Sequence, residues 1–253
     1  MPAHAMILGC GRSGTSILGE LFDGLGGYSY QSEPPFEEVL AADFSRPRAF
    51  KVPRESDAWP APPGLSFPLG AFLARTPDAR VFWIVRHPLD AICSLRIGID
   101  RDWGHHPRPP DWRDWLSRPL LARCAHHWSY LNTSGFAQVE PIATVLRFER
   151  MIAEPAAFAR EVCAAVGLDP AADAATAAHL RRWADRVQDT NSAAFVEART
   201  SRSYSRPDHR TRIGRWRENL TDDEVASVWP IVASAARRFG YSRQERHGAA
   251  PGA

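Results

Sequence analysis

Eight residues near the start of the chain, Gly9-Cys10-Gly11-Arg12-Ser13-Gly14-Thr15-Ser16, combine small size, hydroxyls and one guanidinium at a spacing suited to holding an anion. Glycines let backbone N–H groups approach a phosphate closely, and a helix starting behind such a loop turns its positive end toward the same point. Gly9 and Gly14 have the spacing of the triphosphate loop G-x-x-x-x-G-K-[ST], but Thr15 stands where the lysine for the β- and γ-phosphates belongs. That substitution argues against a triphosphate. Arg12 supplies the positive charge from inside the loop, where it meets one phosphate and its bridging oxygen. A second guanidinium, Arg86, follows the apolar run Val81-Phe82-Trp83-Ile84-Val85, where a kinase-like loop protein usually carries a magnesium-binding aspartate. A bidentate fork in place of a carboxylate points to direct anion binding. The structural alternative for Arg86 is pairing with a neighbour such as Asp90. Glu33, in Tyr30-Gln31-Ser32-Glu33-Pro34-Pro35, follows the second strand segment and is expected to return to the crevice of Arg12. Its alternative is an exposed carboxylate before a proline turn.

Such residues need a scaffold that gathers several strand ends. Short apolar runs alternate with helical patterns, so the chain reads as α/β, a mostly parallel central sheet flanked by helices on both faces. Strands are expected near 5–9, 27–31, 48–52, 80–85 and 142–147. Ile17, Leu18, Leu21, Phe22 and Leu25 share one stripe of the first helix. Pro155 and Gly167 bound a later helix, and Thr221-Asp222-Asp223-Glu224 is a capping box that opens the last one, which Pro230 is expected to kink or split. Segments 53–68, 100–114 and 192–212 read as loops, and the organisation expected is one domain over 1–242 with a disordered tail over 243–253.

A length of 253 residues with 44% hydrophobic content suffices for a sizeable core, and a net charge of +2 gives no general attraction to nucleic acid or membrane. Lys51 is the sole lysine in an arginine-biased composition, as in a bacterial GC-rich genome. Cys10, Cys93, Cys124 and Cys163 lack paired spacing, so neither a zinc site nor a disulfide framework is indicated, and a reducing cytoplasm is the expected location. No signal peptide or membrane-length apolar run is expected. The pairs His105-His106 and His126-His127 lack the i, i+4 spacing of a helical metal site.

Four ordered segments carry a family resemblance. The loop G-x-x-R-S-G-T-S after an N-terminal strand resembles the 5′-phosphosulfate loop of sulfotransferases that use 3′-phosphoadenosine-5′-phosphosulfate (PAPS). Arg86 with Ser94 eight residues on resembles that family's 3′-phosphate segment; Val145-Leu146-Arg147-Phe148-Glu149 resembles its later strand and helix; Arg212-Ile213-Gly214-Arg215-Trp216-Arg217-Glu218-Asn219-Leu220 resembles its late Gly/Trp segment.

The resemblance implies a P-loop NTPase-like fold and a PAPS-dependent sulfotransferase whose acceptor is a small-molecule or glycan hydroxyl, with no metal and no nucleic-acid partner. Gly11, Arg12, Ser13, Gly14, Thr15 and Ser16 would cradle the phosphosulfate, and Arg86 and Ser94 the 3′-phosphate, with Arg212, Gly214 and Arg215 in a flap over it. The small-molecule branch of the family carries its base in a K-x-H segment, which here reads Lys51-Val52-Pro53. Proline accepts no proton, so the base is placed on Glu33, as in the carbohydrate and tyrosyl-protein branches, with Lys51 beside the sulfuryl or bridging oxygens. His105 or His106 is the alternative base, and Trp103, Trp112, Trp115 and Trp128 mark the expected acceptor region. A phosphate-transferring kinase and a catalytically silent nucleotide-binding protein of the same fold are the rival readings.

Overall fold

Five short parallel strands carry the architecture: β1 (Ala5–Leu8), β2 (Ser29–Ser32), β3 (Arg48–Lys51), β4 (Arg80–Val85) and β5 (Ala143–Arg147), in the order β2-β3-β1-β4-β5. Each lies within two residues of its sequence expectation. The computed structural model describes residues 2–100, 102–187 and 213–244. The chain divides into two compact units, Met1–Val85 with Leu131–Gln188, and Arg86–Tyr130 with Asp189–Ala253.

The whole sheet lies in the first unit. Every residue of β1 and all but the first of β4 are buried, whereas the edge strands β2 and β5 are mostly exposed or half-buried. That gradient follows from covering a parallel sheet on both faces, which leaves the central strands uniformly apolar. Neighbouring residues of β4 point to opposite faces: Phe82 meets Phe22 of α1 (Thr15–Phe22), while Trp83 meets Phe136 and donates its Nε1–H to Asn132 Oδ1 at 3.1 Å. Phe72 of α3 (Leu69–Arg75) packs edge-on against Phe50 of β3; α2 (Phe36–Ala41) lies between β2 and β3 in the chain. Leu18, Leu21 and Phe22 form the buried stripe of α1 as expected, but the helix stops at Phe22 and Leu25 is buried from the turn beyond it. The unit closes with α6 (Phe148–Ala153), α7 (Pro155–Ala165) and α8 (Ala174–Arg186).

The second unit is helical: α4 (Pro88–Leu95), α5 (Leu120–Tyr130), the short α9 (Trp216–Asn219) and α10 (Asp222–Arg238). The Thr221–Glu224 capping box forms as expected. Pro230 does not split α10, which runs through it as one helix. The buried stripe Val225, Val228, Val232, Ala235 and Ala236 continues on both sides of the proline, so packing outweighs the one lost hydrogen bond. All four cysteines are buried thiols.

Candidate functional site

The chain order and the strand order disagree around β1: the chain leaves it for β2 and β3 on one side, then crosses to β4 on the other. Such a switch point opens a crevice at the carboxyl ends of the strands. The Gly9–Ser16 loop fills that place. Gly9 adopts φ 146°, and a Cβ there would collide with the Ile84 carbonyl of β4. Gly14, at φ 98°, is the N-cap of α1, and a Cβ on it would lie 2.5 Å from Phe148 Cδ2. Arg12 is itself left-handed, at φ 67°, and exposed. The first turn of α1 turns N–H groups without intrahelical acceptors toward the loop. Ser13 Oγ is buried with no hydrogen-bond partner among the described residues. An orphaned hydroxyl below a glycine-bounded cradle fits an anion.

Register brings the other two residues there. Ile7 of β1 faces Lys51 of β3, and Lys51 faces Ser32 of β2. Glu33 N–H then donates to the Lys51 carbonyl at 2.8 Å, and Val52 N–H to the Ile7 carbonyl at 3.0 Å. Glu33 and Val52 both sit in the left-handed region, at φ 53° and 40°. For a β-branched residue that conformation is strained, and strain of this kind gathers at functional sites. The result is a relay. Lys51 Nζ donates to Glu33 Oε1 at 2.6 Å and to Ser16 Oγ at 3.2 Å. The Lys51 side chain is 5% exposed and that of Glu33 57%, so a buried ammonium is matched to a carboxylate open to solvent. The sequence placed Lys51 beside the oxygens of the transferred group; its bonds to Glu33 and Ser16 carried no sequence signal.

Arg86, Ser94, Gly214 and Arg215 belong to the second unit, and Arg212 lies outside the described residues. Arg86 and Ser94 flank the first two turns of α4, both buried. Burial pushes the Cys93 thiol between them up to about 12, against the pull of Arg215, Arg96 and Arg86. The Trp-rich segment of this unit has its rings largely engaged. Trp103 and Trp128 are fully buried, and Trp103 Nε1–H donates to His127 Nδ1 at 3.2 Å. Trp112 lies under the guanidiniums of Arg108 and Arg113, and Trp115 stacks on His126, with Asp111 bonded to both. His105 is half-buried and His106 exposed. Among the described residues no His, Cys, Asp or Glu cluster is arranged to hold a metal ion, and no helix is long and apolar enough to cross a membrane.

A model of the sulfotransferase family matches residues 51–173. That match covers a little under half of the chain. Three solved structures share the sulfotransferase fold. Mouse sulfotransferase SULT7A1, complexed with PAP, has a TM-score of 0.56 at 15% identity, over 93% of this chain and 85% of that one. Sulfotransferase STF9 from Mycobacterium avium gives 0.55 at 16%, over 97% and 79%. The sulfotransferase domain from the curacin biosynthetic pathway gives 0.55 at 14%, over 96% and 99%. No curated protein matches the chain in sequence.

Proposed function

We propose that this chain is a sulfotransferase that moves a sulfuryl group from PAPS to a hydroxyl of a small molecule or glycan, in line, with Glu33 as general base. PAPS supplies an activated sulfuryl group on a phosphate leaving group. The backbone N–H groups and hydroxyls of Gly11, Ser13, Gly14, Thr15 and Ser16 hold the phosphosulfate end, with Arg12 over the bridging oxygen. Arg86, Ser94, Arg212, Gly214 and Arg215 are assigned to the 3′-phosphate, on the motifs they carry.

Glu33 takes the proton as the acceptor oxygen forms its bond to sulfur. The bond from sulfur to the 5′-phosphate oxygen breaks, and its electron pair ends on that phosphate. Arg12 and the loop N–H groups meet the charge that develops there. Lys51 holds one oxygen of Glu33 by its 2.6 Å bond, which orients the carboxylate while its exposure keeps it open to an acceptor.

The observation that carries this reading is the Lys51–Glu33 pair anchored on Ser16 of the loop. The PAP bound by the mouse neighbour supports the choice of donor. Titration calorimetry with 3′-phosphoadenosine-5′-phosphate (PAP) is expected to show binding without magnesium, and radiolabelled PAPS is expected to label a hydroxyl acceptor. Magnesium-dependent affinity for ATP with none for PAP would overturn the proposal in favour of a kinase. PAP binding with no transfer to any acceptor would leave a silent nucleotide-binding protein.

A further inference from the structure

Asp90 is a carboxylate with no exposure, on the first turn of α4, four residues after Arg86 and four before Ser94. A buried carboxylate is costly unless hydrogen bonds satisfy it. Asp90 is satisfied by backbone alone in the bonds seen here: Gly214 N–H donates to Oδ2 at 2.7 Å and Trp216 N–H to Oδ1 at 3.0 Å. Those two amides bracket Arg215. The carboxylate thereby fixes the turn that carries the Arg215 side chain, across more than a hundred residues of sequence.

A second contact holds the same turn. His87, buried beside Asp90, stacks on Trp216 with ring planes 8° apart and centroids 6.1 Å apart, and its Nε2 is bonded to the Ser242 carbonyl at 3.1 Å. Arg217 lies over the Trp216 ring at 4.5 Å. The Cys93 thiol on the same helix feels the guanidiniums of Arg86, Arg96 and Arg215 and the Asp90 carboxylate.

We infer that Asp90 is a positioning residue for the nucleotide: its carboxylate latches the Gly214–Trp216 turn onto α4 and so holds Arg215 in place for the anionic end of the donor. This rests on the PAPS reading above. It gives the sequence segment around Gly214 a mechanical anchor. Asp90 touches neither substrate nor reacting atoms and acts through Arg215.

The test is PAP affinity by calorimetry and donor kinetics on the full chain, comparing wild type, Asp90→Asn, Arg215→Ala and the double variant. Asp90→Asn keeps the shape but trades one acceptor oxygen for an NH2 group that opposes an amide. The expected result is PAP affinity weakened about 10-fold or more, the KM for donor raised in step, and kcat and the acceptor KM within about threefold. A role confined to folding would lower the melting temperature without that split. The double variant is expected to bind PAP no worse than Arg215→Ala alone; additive losses would overturn the inference. Amide hydrogen exchange on the wild type covers the case in which Asp90→Asn fails to fold. Gly214 and Trp216 are expected to be protected and to gain protection with PAP, and fast exchange at both with or without PAP would overturn the inference. A wild type that binds PAP with Asp90→Asn unchanged defeats the inference alone, whereas a wild type indifferent to PAP defeats the donor reading with it.

Discussion

Lys51 and Glu33 form an asymmetric pair, and the asymmetry predicts opposite effects on stability and rate. Lys51 is buried, so its ammonium carries a desolvation cost that one exposed carboxylate and one hydroxyl offset only in part. Lys51→Met, of similar volume and without charge, is therefore expected to leave the melting temperature unchanged or higher while kcat falls by about 10²–10³, the range for losing one fixed donor in an active site. Glu33→Gln keeps an oxygen for Lys51 and removes the base. Turnover is expected to drop by about 10²–10⁴ with PAP affinity kept, which single-turnover kinetics and calorimetry would show. An unchanged rate for Glu33→Gln would take this residue out of the mechanism and return attention to His105 and His106. At this scale the sequence offered candidates, since glycines, Arg12 and Glu33 stand in readable local patterns. It did not indicate their bonds. The Lys51 contacts join residues 18 and 35 positions apart, and Asp90 is joined to backbone 124 and 126 positions away. Such pairs depend on register and docking, which no local pattern encodes.

The elements were more legible than their joints. A run such as Val81-Phe82-Trp83-Ile84-Val85 has one stable use, a strand buried on both faces, and β4 is that strand. Weakly patterned edges were legible through their flanks: β2 has four residues of which none is fully buried, yet its position follows from the glycine turn before it and the prolines after it. What escaped reading is backbone strain and tertiary override. Nothing local marks Val52 for a left-handed conformation, and nothing local says that α10 will carry Pro230 without a break. The seam between the loop and α6 gives a test at this scale. Gly14 has both a positive φ and a tight approach to Phe148, so Gly14→Ala meets conformational strain and overpacking together. A loss of about 2–4 kcal/mol is expected in urea unfolding, taking the two costs together. Because part of that loss is the clash with the ring, Phe148→Leu in the same chain is expected to recover some of it. Strict additivity of the two substitutions would mean that the ring is not what crowds the loop.

Each of the two units contains a histidine that folding makes harder to protonate, and together these set a pH dependence for the whole molecule. In the second unit His127 is buried and held well below the ordinary value of 6.5, first by desolvation and then by the nearby His105, His126 and His106. Its Nδ1 accepts from Trp103, so adding a proton there would break that bond, while Nε2 is already buried without a partner among the described residues. In the first unit His4 is lowered more modestly, by burial and by Arg48, whose backbone N–H donates to its Nδ1 at 3.1 Å. Between the lowered folded value and 6.5 the unfolded chain binds protons that the folded chain refuses, so stability is full above about 6.5 and falls as the pH drops below it. His127 alone contributes at most about 1.4 kcal/mol for each pH unit within that window, and the half-exposed His4 less. Asp43 and Asp173 are shifted down from 3.8 chiefly by hydrogen bonds to Ser45 and to Thr176, and at Asp111 burial pushes up but is outweighed by hydrogen bonds from His126 and Trp115, so their contributions persist through this range and fade only at lower pH. The melting temperature is thus expected to decline from about pH 7 to about pH 5, ahead of the effect of these three carboxylates. His127→Gln retains an acceptor for the Trp103 N–H and removes the titration, so its decline over the same interval is expected to be shallower. Parallel curves for the two proteins would show that His127 does not carry the dependence and would shift it to exposed groups.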